Sequence, residues 1–322
     1  KWDELSAKHF YYQIGGLTGY TSSELVPGSI GYESIPYLKD NNTEIELLSI
    51  KEVEEKFPQF VFSEQADQQF IYDPWAGYLD SGQVLTFLAQ LAVENGVEIK
   101  KHCRVLDVQD LPTKVSIGID GVRIPFDRAV IAAGPWISRL APEISGHLSV
   151  TKQQMAFFKS LEEIPFQHVR RMPYWAFNPY SARTEVESGI VGKGWYGWPI
   201  LQDGTFKIAM DLVGEEVDPD VPRKATSEFI EKVKEFLANH IPILSDWDFV
   251  SARSCLYTNT TDGHFIIDWK PGSDRILLAG GGSGHGFKFG GVIGEMISNT
   301  LEDRVGRFDD FFRIGDRFTE TN

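Results

Sequence analysis

The sequence predicts an α/β fold combined with antiparallel β: a doubly wound domain interleaved along the chain with a second domain built on an antiparallel sheet. Three observations predict it. The apolar run Ala129-Val130-Ile131-Ala132-Ala133 reads as a parallel-sheet strand covered on both faces. From about Val150 to Ser251 the pattern changes to aromatic, alternating strands of the half-buried antiparallel kind. After Phe265 strands again lead into a glycine-rich loop and a helix. The 322 residues suit about two domains. The pattern assigns residues 1–20, 70–149 and 252–322 to the α/β domain and 21–69 and 150–251 to the antiparallel one.

In chain order, Lys1 to Tyr12 reads as the tail of a helix and Gln13 to Tyr20 as a glycine-punctuated strand. Ile50 to Lys56 reads as a short acidic helix closed by Pro58. Phe70 to Tyr72 is a strand, and Ser81 to Asn95 an amphipathic helix stopped by Gly96, with Leu85, Leu88 and Leu91 on one face. Strands follow at Val97 to Lys100, Arg104 to Gln109, Val115 to Gly118 and Val122 to Pro125. The antiparallel region holds strands around Ala156 to Lys159, Ile190 to Trp198 and Phe206 to Leu212, and a helix from Thr226 to Asn239. Strands Phe265 to Asp268 and Arg275 to Ala279 and a helix from Gly291 to Leu301 close the pattern.

Lys plus Arg total 31 against 46 Asp plus Glu, a formal charge of -15, which argues against nucleic-acid and anionic-membrane surfaces. Cys103 and Cys255 are too few for a disulfide framework, and no signal segment opens the sequence, so a reducing, cytoplasmic setting is expected. No apolar stretch approaches the length of a membrane helix. The ending Glu320-Thr321-Asn322 is not a peroxisomal signal.

The densest motif is Gly280-Gly281-Gly282-Ser283-Gly284-His285-Gly286-Phe287-Lys288-Phe289, with five glycines in seven positions between a strand and a helix. Such a backbone can come close to an anion or an electron-rich ring, and His285 and Lys288 supply cations for a carboxylate despite the acidic surface. A literal G-x-G-x-x-G at Gly192, Gly194 and Gly197 is spurious, because Pro199 follows and no helix opens there. There is no P-loop, no G-x-S-x-G elbow and no metal-ligand spacing. Cys255 has Arg253 nearby and Cys103 has Arg104, so local charge does not choose between the thiols. Lys207 sits on a strand as either an inward cation held by a partner or a solvent-facing residue. Tyr196 and Trp198 suit a ligand pocket and a sheet core equally.

Four motifs together resemble the monomeric sarcosine oxidase family, FAD-dependent amine oxidases that include the pipecolate, N-methyltryptophan and fructosyl amino acid oxidases. They are Ala132-Ala133-Gly134-Pro135-Trp136; Tyr196-Gly197-Trp198-Pro199; Cys255-Leu256-Tyr257-Thr258 with Asp262 to Asp268; and Ser283-Gly284-His285-Gly286-Phe287-Lys288-Phe289. The resemblance implies an FAD-binding α/β domain interleaved with an antiparallel catalytic sheet. The implied reaction oxidises the C–N bond of a secondary amine or amino acid by hydride transfer to flavin, with O2 as acceptor, giving an imine and hydrogen peroxide in a monomeric enzyme. It also implies residue roles: Cys255 as the thiol tied to the flavin, Lys288 as the grip on the substrate carboxylate, and His285 as its neighbour beside the flavin. Lys207 would be the oxygen-activating cation, with Tyr196 and Tyr257 lining the substrate cavity. Ala133, Gly134 and Trp136 would lie on the cofactor side with Gly281, Gly282, Ser283, Gly284, Gly286 and Phe287.

Two departures qualify the match. Asp211 stands where sarcosine oxidases usually carry a histidine, which makes sarcosine itself an unexpected substrate and suits a cationic or polyhydroxylated amine such as a fructosyl amine or saccharopine. The family's N-terminal strand, G-x-G-x-x-G turn and helix are not found, so the sequence reads as beginning after them, and a remnant that binds no flavin is the competing expectation. A dehydrogenase passing electrons elsewhere than oxygen is the alternative among enzymes.

Overall fold

The computed structural model describes residues 2, 10–40, 43–63, 66–159, 172–177, 194–199, 201, 204–211, 214–302 and 310–318. Among them, a nine-stranded sheet dominates. Its strands run in the order Glu215–Glu216, Leu148–Lys159, Thr205–Asp211, Gly194–Gly197, Tyr174–Phe177, Gly16–Thr21, Gln68–Asp73 and Glu46–Ser49, and Asp248–Thr260 pairs along the whole of Leu148–Lys159. All of these pairs are antiparallel except Tyr174–Phe177 with Gly16–Thr21. Strands 16–21 and 68–73, which the sequence places mainly in the α/β part, pair with each other inside this sheet, and so does the strand that carries Cys255.

Side chains alternate between the two faces of a strand, and here the alternation separates a packed back from a functional front. Ala156, Phe158, Trp175, Phe177, Trp195, Phe206 and Ile208 are buried on the back. Helix Ser227–His240 covers them with Phe229, Val233, Phe236 and Leu237, spaced to share one helical face. Phe236 stacks on Trp175 at 5.5 Å and Trp195 at 4.8 Å, which fixes the helix across the strands. Thr226 caps the helix by accepting from the Phe229 N–H.

The α/β part has a smaller core of Val115, Ile131, Ile137, Ala141, Ile144, Ile266, Ile276 and Leu278. Its sheet holds Ile266–Trp269, Ile276–Gly280 and Ala129–Ile131, the last two parallel. A second sheet contains Val105–Asp110, Val115–Ile119 and Val122–Phe126, as the hairpin pattern indicates. Short helix Ile50–Lys56 forms where expected, fixed by a capping box between Ser49 and Glu52.

Some expectations fail for physical reasons. The Ala129 strand is not covered on both faces: Val130 is 37% exposed, and among the described residues its ladder has a partner on one edge only. Val97 to Lys100 forms no strand and is exposed, so alternation there has no neighbouring strand to bond. Helix Ser81–Glu94 forms with an Asp80 cap, yet only Val84 in it is buried. Helix Ile30–Asp40, with Pro36 inside, and strand Tyr11–Gln13 were not legible. Residues 3–9 and 190–193 lie outside the described residues, and with them most of the expected N-terminal helix tail and the first half of the Ile190 strand.

Candidate active site

The strand registers decide which side chains meet. Arg253, Met155, Ala209 and Tyr196 are successive partners across four strands, and Lys207 lies one step along from Ala209 on the same face, opposite Phe157. Cys255 and Tyr257 alternate with Arg253 on that face, Asp211 follows Lys207 by four residues, and Ala176 partners Tyr196. Small Ala209 and Ala176 on either side of Tyr196 leave its ring room to stand away from the sheet. The front face thus gathers Lys207, Asp211, Tyr196, Cys255 and Tyr257.

The glycine-rich loop closes over this face. The Ser283 N–H donates to the Thr258 carbonyl at 2.9 Å, and the Ser283 hydroxyl accepts from the Thr260 N–H at 3.3 Å. Gly281 and Gly284 have φ of +66° and +78°, and a Cβ on them would lie 2.5 Å from Thr260 Cγ2 and 2.4 Å from Tyr257 Cε2. Only glycine allows both the conformation and the approach. Gly282 and Gly286 pack backbone to backbone, 3.2 Å from the Gly282 Cα to a Cβ built at 286. Phe287–Phe289 then forms a single tight turn into helix Gly290–Leu301, with Phe287 exposed.

The electrostatics is that of a partly dried site. Burial pulls the Lys207 ammonium down to about 8, with Arg253 pushing the same way and Cys255 opposing. Burial also lowers Lys288, and Asp211 counters it. Tyr257 is pushed up to about 12 by burial, and Tyr196 and Tyr174 are raised for the same reason, so all three hydroxyls stay protonated and can donate. The Tyr196 and Tyr257 hydroxyls are 3.5 Å apart. Burial raises the half-buried Cys255 thiol, with Lys207 and Arg223 pulling it back. Cys103 is exposed instead.

The remaining expected residues lie at the rim. His285 is lowered by burial, and its Nε2 lies 3.1 Å from the Gly263 carbonyl, with its ring against Phe265. Ala133 precedes the turn Gly134–Trp136, where Gly134 has φ of +52° and faces open space. The Trp136 indole does not point to the tyrosines: it donates to Asp220 Oδ1 at 2.7 Å, beside Arg139 and Arg104. The G-x-G-x-x-G lookalike is a strand over Gly194–Gly197, paired on both sides.

Sequence reasoning missed Tyr174 and left Trp198 unassigned. Tyr174 lies 5.5 Å from the Trp198 ring and interacts electrostatically with Asp211 and Tyr257. Its place two residues before Ala176, on the Tyr196 face, is a signal readable only once the register is known. Among the described residues, no cluster of three or more His, Cys, Asp or Glu could hold a metal, and no helix is long and apolar enough to cross a membrane.

Known proteins share this architecture. The chain is 27% identical over 271 residues to monomeric sarcosine oxidase of a Bacillus species, covering 83% of this chain and 66% of that protein. It is 29% identical over 248 residues to N-methyl-L-tryptophan oxidase of Shigella dysenteriae, covering 74% of this chain and 60% of that protein. The chain thus spans about two thirds of the length of the curated relatives it matches. The crystal structure of glycine oxidase from Geobacillus kaustophilus superposes with a TM-score of 0.77 at 17% identity, covering 99% of this chain and 79% of that one. Residues 1–300 match the family described as FAD dependent oxidoreductase, and the chain belongs to that family.

Proposed function

We propose that the protein is an FAD-dependent oxidase of secondary amines, chiefly N-alkyl amino acids, acting as a monomer with O2 as electron acceptor. The observation that carries the reading is the convergence of Lys207, Asp211, Tyr196, Cys255 and Tyr257 on one sheet face, under the loop that brings Lys288.

The residues present fit a flavin. Gly281 and Gly284 pack the loop tightly on the long strand, Gly134 faces open space, and the Cys255 sulfur is half-buried on the front face, where an 8α attachment could form. Flavin, when bound, would take a hydride from the C–H bond beside the amine nitrogen, leaving a C=N imine once the nitrogen loses its proton, and would pass the two electrons to oxygen to give hydrogen peroxide. The protein supplies position and charge. Lys288 grips the substrate carboxylate, while Asp211 keeps that ammonium charged and limits its excess positive field. Tyr196 and Tyr257 donate from protonated hydroxyls and keep water from the reacting carbon. Lys207 places a positive charge where negative charge develops on oxygen.

Asp211 favours a second reading within the same chemistry, a fructosyl amine or saccharopine-type substrate whose cationic or hydroxyl groups the carboxylate would accept. The test is a visible spectrum of the full chain supplied with FAD, repeated on the acid-precipitated pellet, with oxygen uptake on N-methyl amino acids and on fructosyl amino acids. Flavin absorbance with peroxide formed from either class supports the reading and chooses the substrate. A colourless chain inert to both classes overturns it in favour of a non-catalytic remnant.

A further inference from the structure

We infer that Trp198 is the positioning residue for Lys207: its ring holds the lysine ammonium charged and fixed at the front of the sheet. The Lys207 Nζ lies 4.1 Å from the centroid of the Trp198 ring. At that distance a cation is drawn to the aromatic face, and the attraction strengthens as water is removed.

The local sequence builds this contact. The Trp198 N–H donates to the Lys207 carbonyl at 3.1 Å, so the two residues are tied across neighbouring strands before their side chains meet. Gly197 allows that approach, since a Cβ there would lie 2.9 Å from the Lys207 carbonyl oxygen and 2.5 Å from Trp175 Cζ2. Pro199 biases the residue before it to extended backbone, which suits Trp198. Tyr174 and Tyr196 then brace the indole at centroid distances of 5.5 and 5.3 Å.

The ring matters because the other neighbours do little for the charge. From strand Asp248–Thr260, the Cys255 thiol favours the ammonium and the Arg253 guanidinium opposes it; neither is a carboxylate. From strand Leu148–Lys159, the register partner is apolar Phe157, over whose ring Arg253 is held at 5.2 Å. From strand Gly194–Gly197 comes Tyr196, and Asp211 lies four residues along the lysine's own strand. Burial has already drawn Lys207 down to about 8, so a further fall of about one unit on loss of the ring would leave it only about half charged near neutrality.

The inference rests on Lys207 as the cation of the proposed oxygen reaction, and its test keeps the two apart. Trace acetylation by acetic anhydride at a series of pH values, resolved to the Lys207 peptide, reads protonation of that amine without any turnover. In Trp198→Leu the midpoint should fall by about one pH unit, with Trp198→Phe between it and the wild type. An unchanged midpoint in Trp198→Leu overturns the inference, whatever the activity. If Trp198→Leu does not fold, Trp198→Phe and Trp198→Tyr carry the comparison, and midpoints equal to wild type in both overturn it. Reoxidation by oxygen is measured on the same variants. A lowered midpoint with unchanged reoxidation upholds the role of Trp198 and overturns the reading of Lys207.

Discussion

Gly284 stands against Tyr257 with no space between them for a side chain: a Cβ on Gly284 would lie 2.4 Å from Tyr257 Cε2, on backbone with φ of +78°. The contact sets the glycine-rich loop on the strand that carries Cys255. Gly284→Ala should cost about 1–2 kcal/mol from the left-handed backbone alone, before Tyr257 is displaced. The expected outcome is a melting temperature lower by several degrees and a lost capacity to retain FAD. Gly294→Ala, inside helix Gly290–Leu301 with nothing within 4 Å, should melt at or slightly above wild type.

Cys255 and Cys103 differ in what surrounds them, not in the charge of their sequence neighbours. Cys255 is half-buried on the site face with Lys207 and Arg223 acting on it, whereas Cys103 is exposed and turned to the Lys101 carbonyl at 3.4 Å. Cys255→Ala should therefore abolish flavin colour in the acid-precipitated pellet, and Cys103→Ala should leave it unchanged. Colour retained in the Cys255 variant would refute covalent attachment at that sulfur.

The same pair shows what the sequence could and could not tell. The resemblance to the family pointed to Cys255, Tyr257, Lys207 and Lys288, whereas spacing and local charge alone left the choice between the thiols and the facing of Lys207 open. The helix from Thr226 to Asn239 was legible too, and the structure shows that Phe229, Val233, Phe236 and Leu237 form its packed side. Register was not. Whether Lys207 faces the site or solvent depends on its pairing with Phe157, a partner fifty residues earlier in the chain. Tyr174 was invisible for the same reason. The strand Val97 to Lys100 failed differently: its alternation was real, but a strand exists only where a neighbour offers hydrogen bonds.

Asp211 supports the charge of Lys288 and adds a negative field beside it. Asp211→Asn removes both effects. Lys288 then loses the group that raises it, so loss of carboxylate binding should move to lower pH. At pH values where Lys288 still carries its charge, a simple carboxylate should bind severalfold more tightly because the like-charge repulsion has gone. A cationic or polyhydroxylated amine should bind more weakly, by about tenfold if it loses a charge-assisted hydrogen bond. Calorimetric titrations with the two ligand types check the opposite signs.

On its proposed role, Lys207 would set function and stability in opposition. Its folded pKa of about 8 lies below the ordinary 10.5, so between those values the unfolded chain holds the extra proton and stability rises with pH. Below about 8 the lysine is charged in both states, and the folded protein bears the full cost of its burial. Lys207→Met keeps the length of the side chain and removes that cost. At neutral pH it should raise stability by about 1–3 kcal/mol and flatten the rise toward alkaline pH. Reoxidation by oxygen should slow sharply in the same protein. Thermal melts of both proteins at neutral and alkaline pH check the sign: a Met variant that melts lower than wild type at neutral pH would mean that Trp198 and the surrounding dipoles more than offset the burial. A buried cation that weakens the fold and speeds the reaction is what a group kept for chemistry should look like.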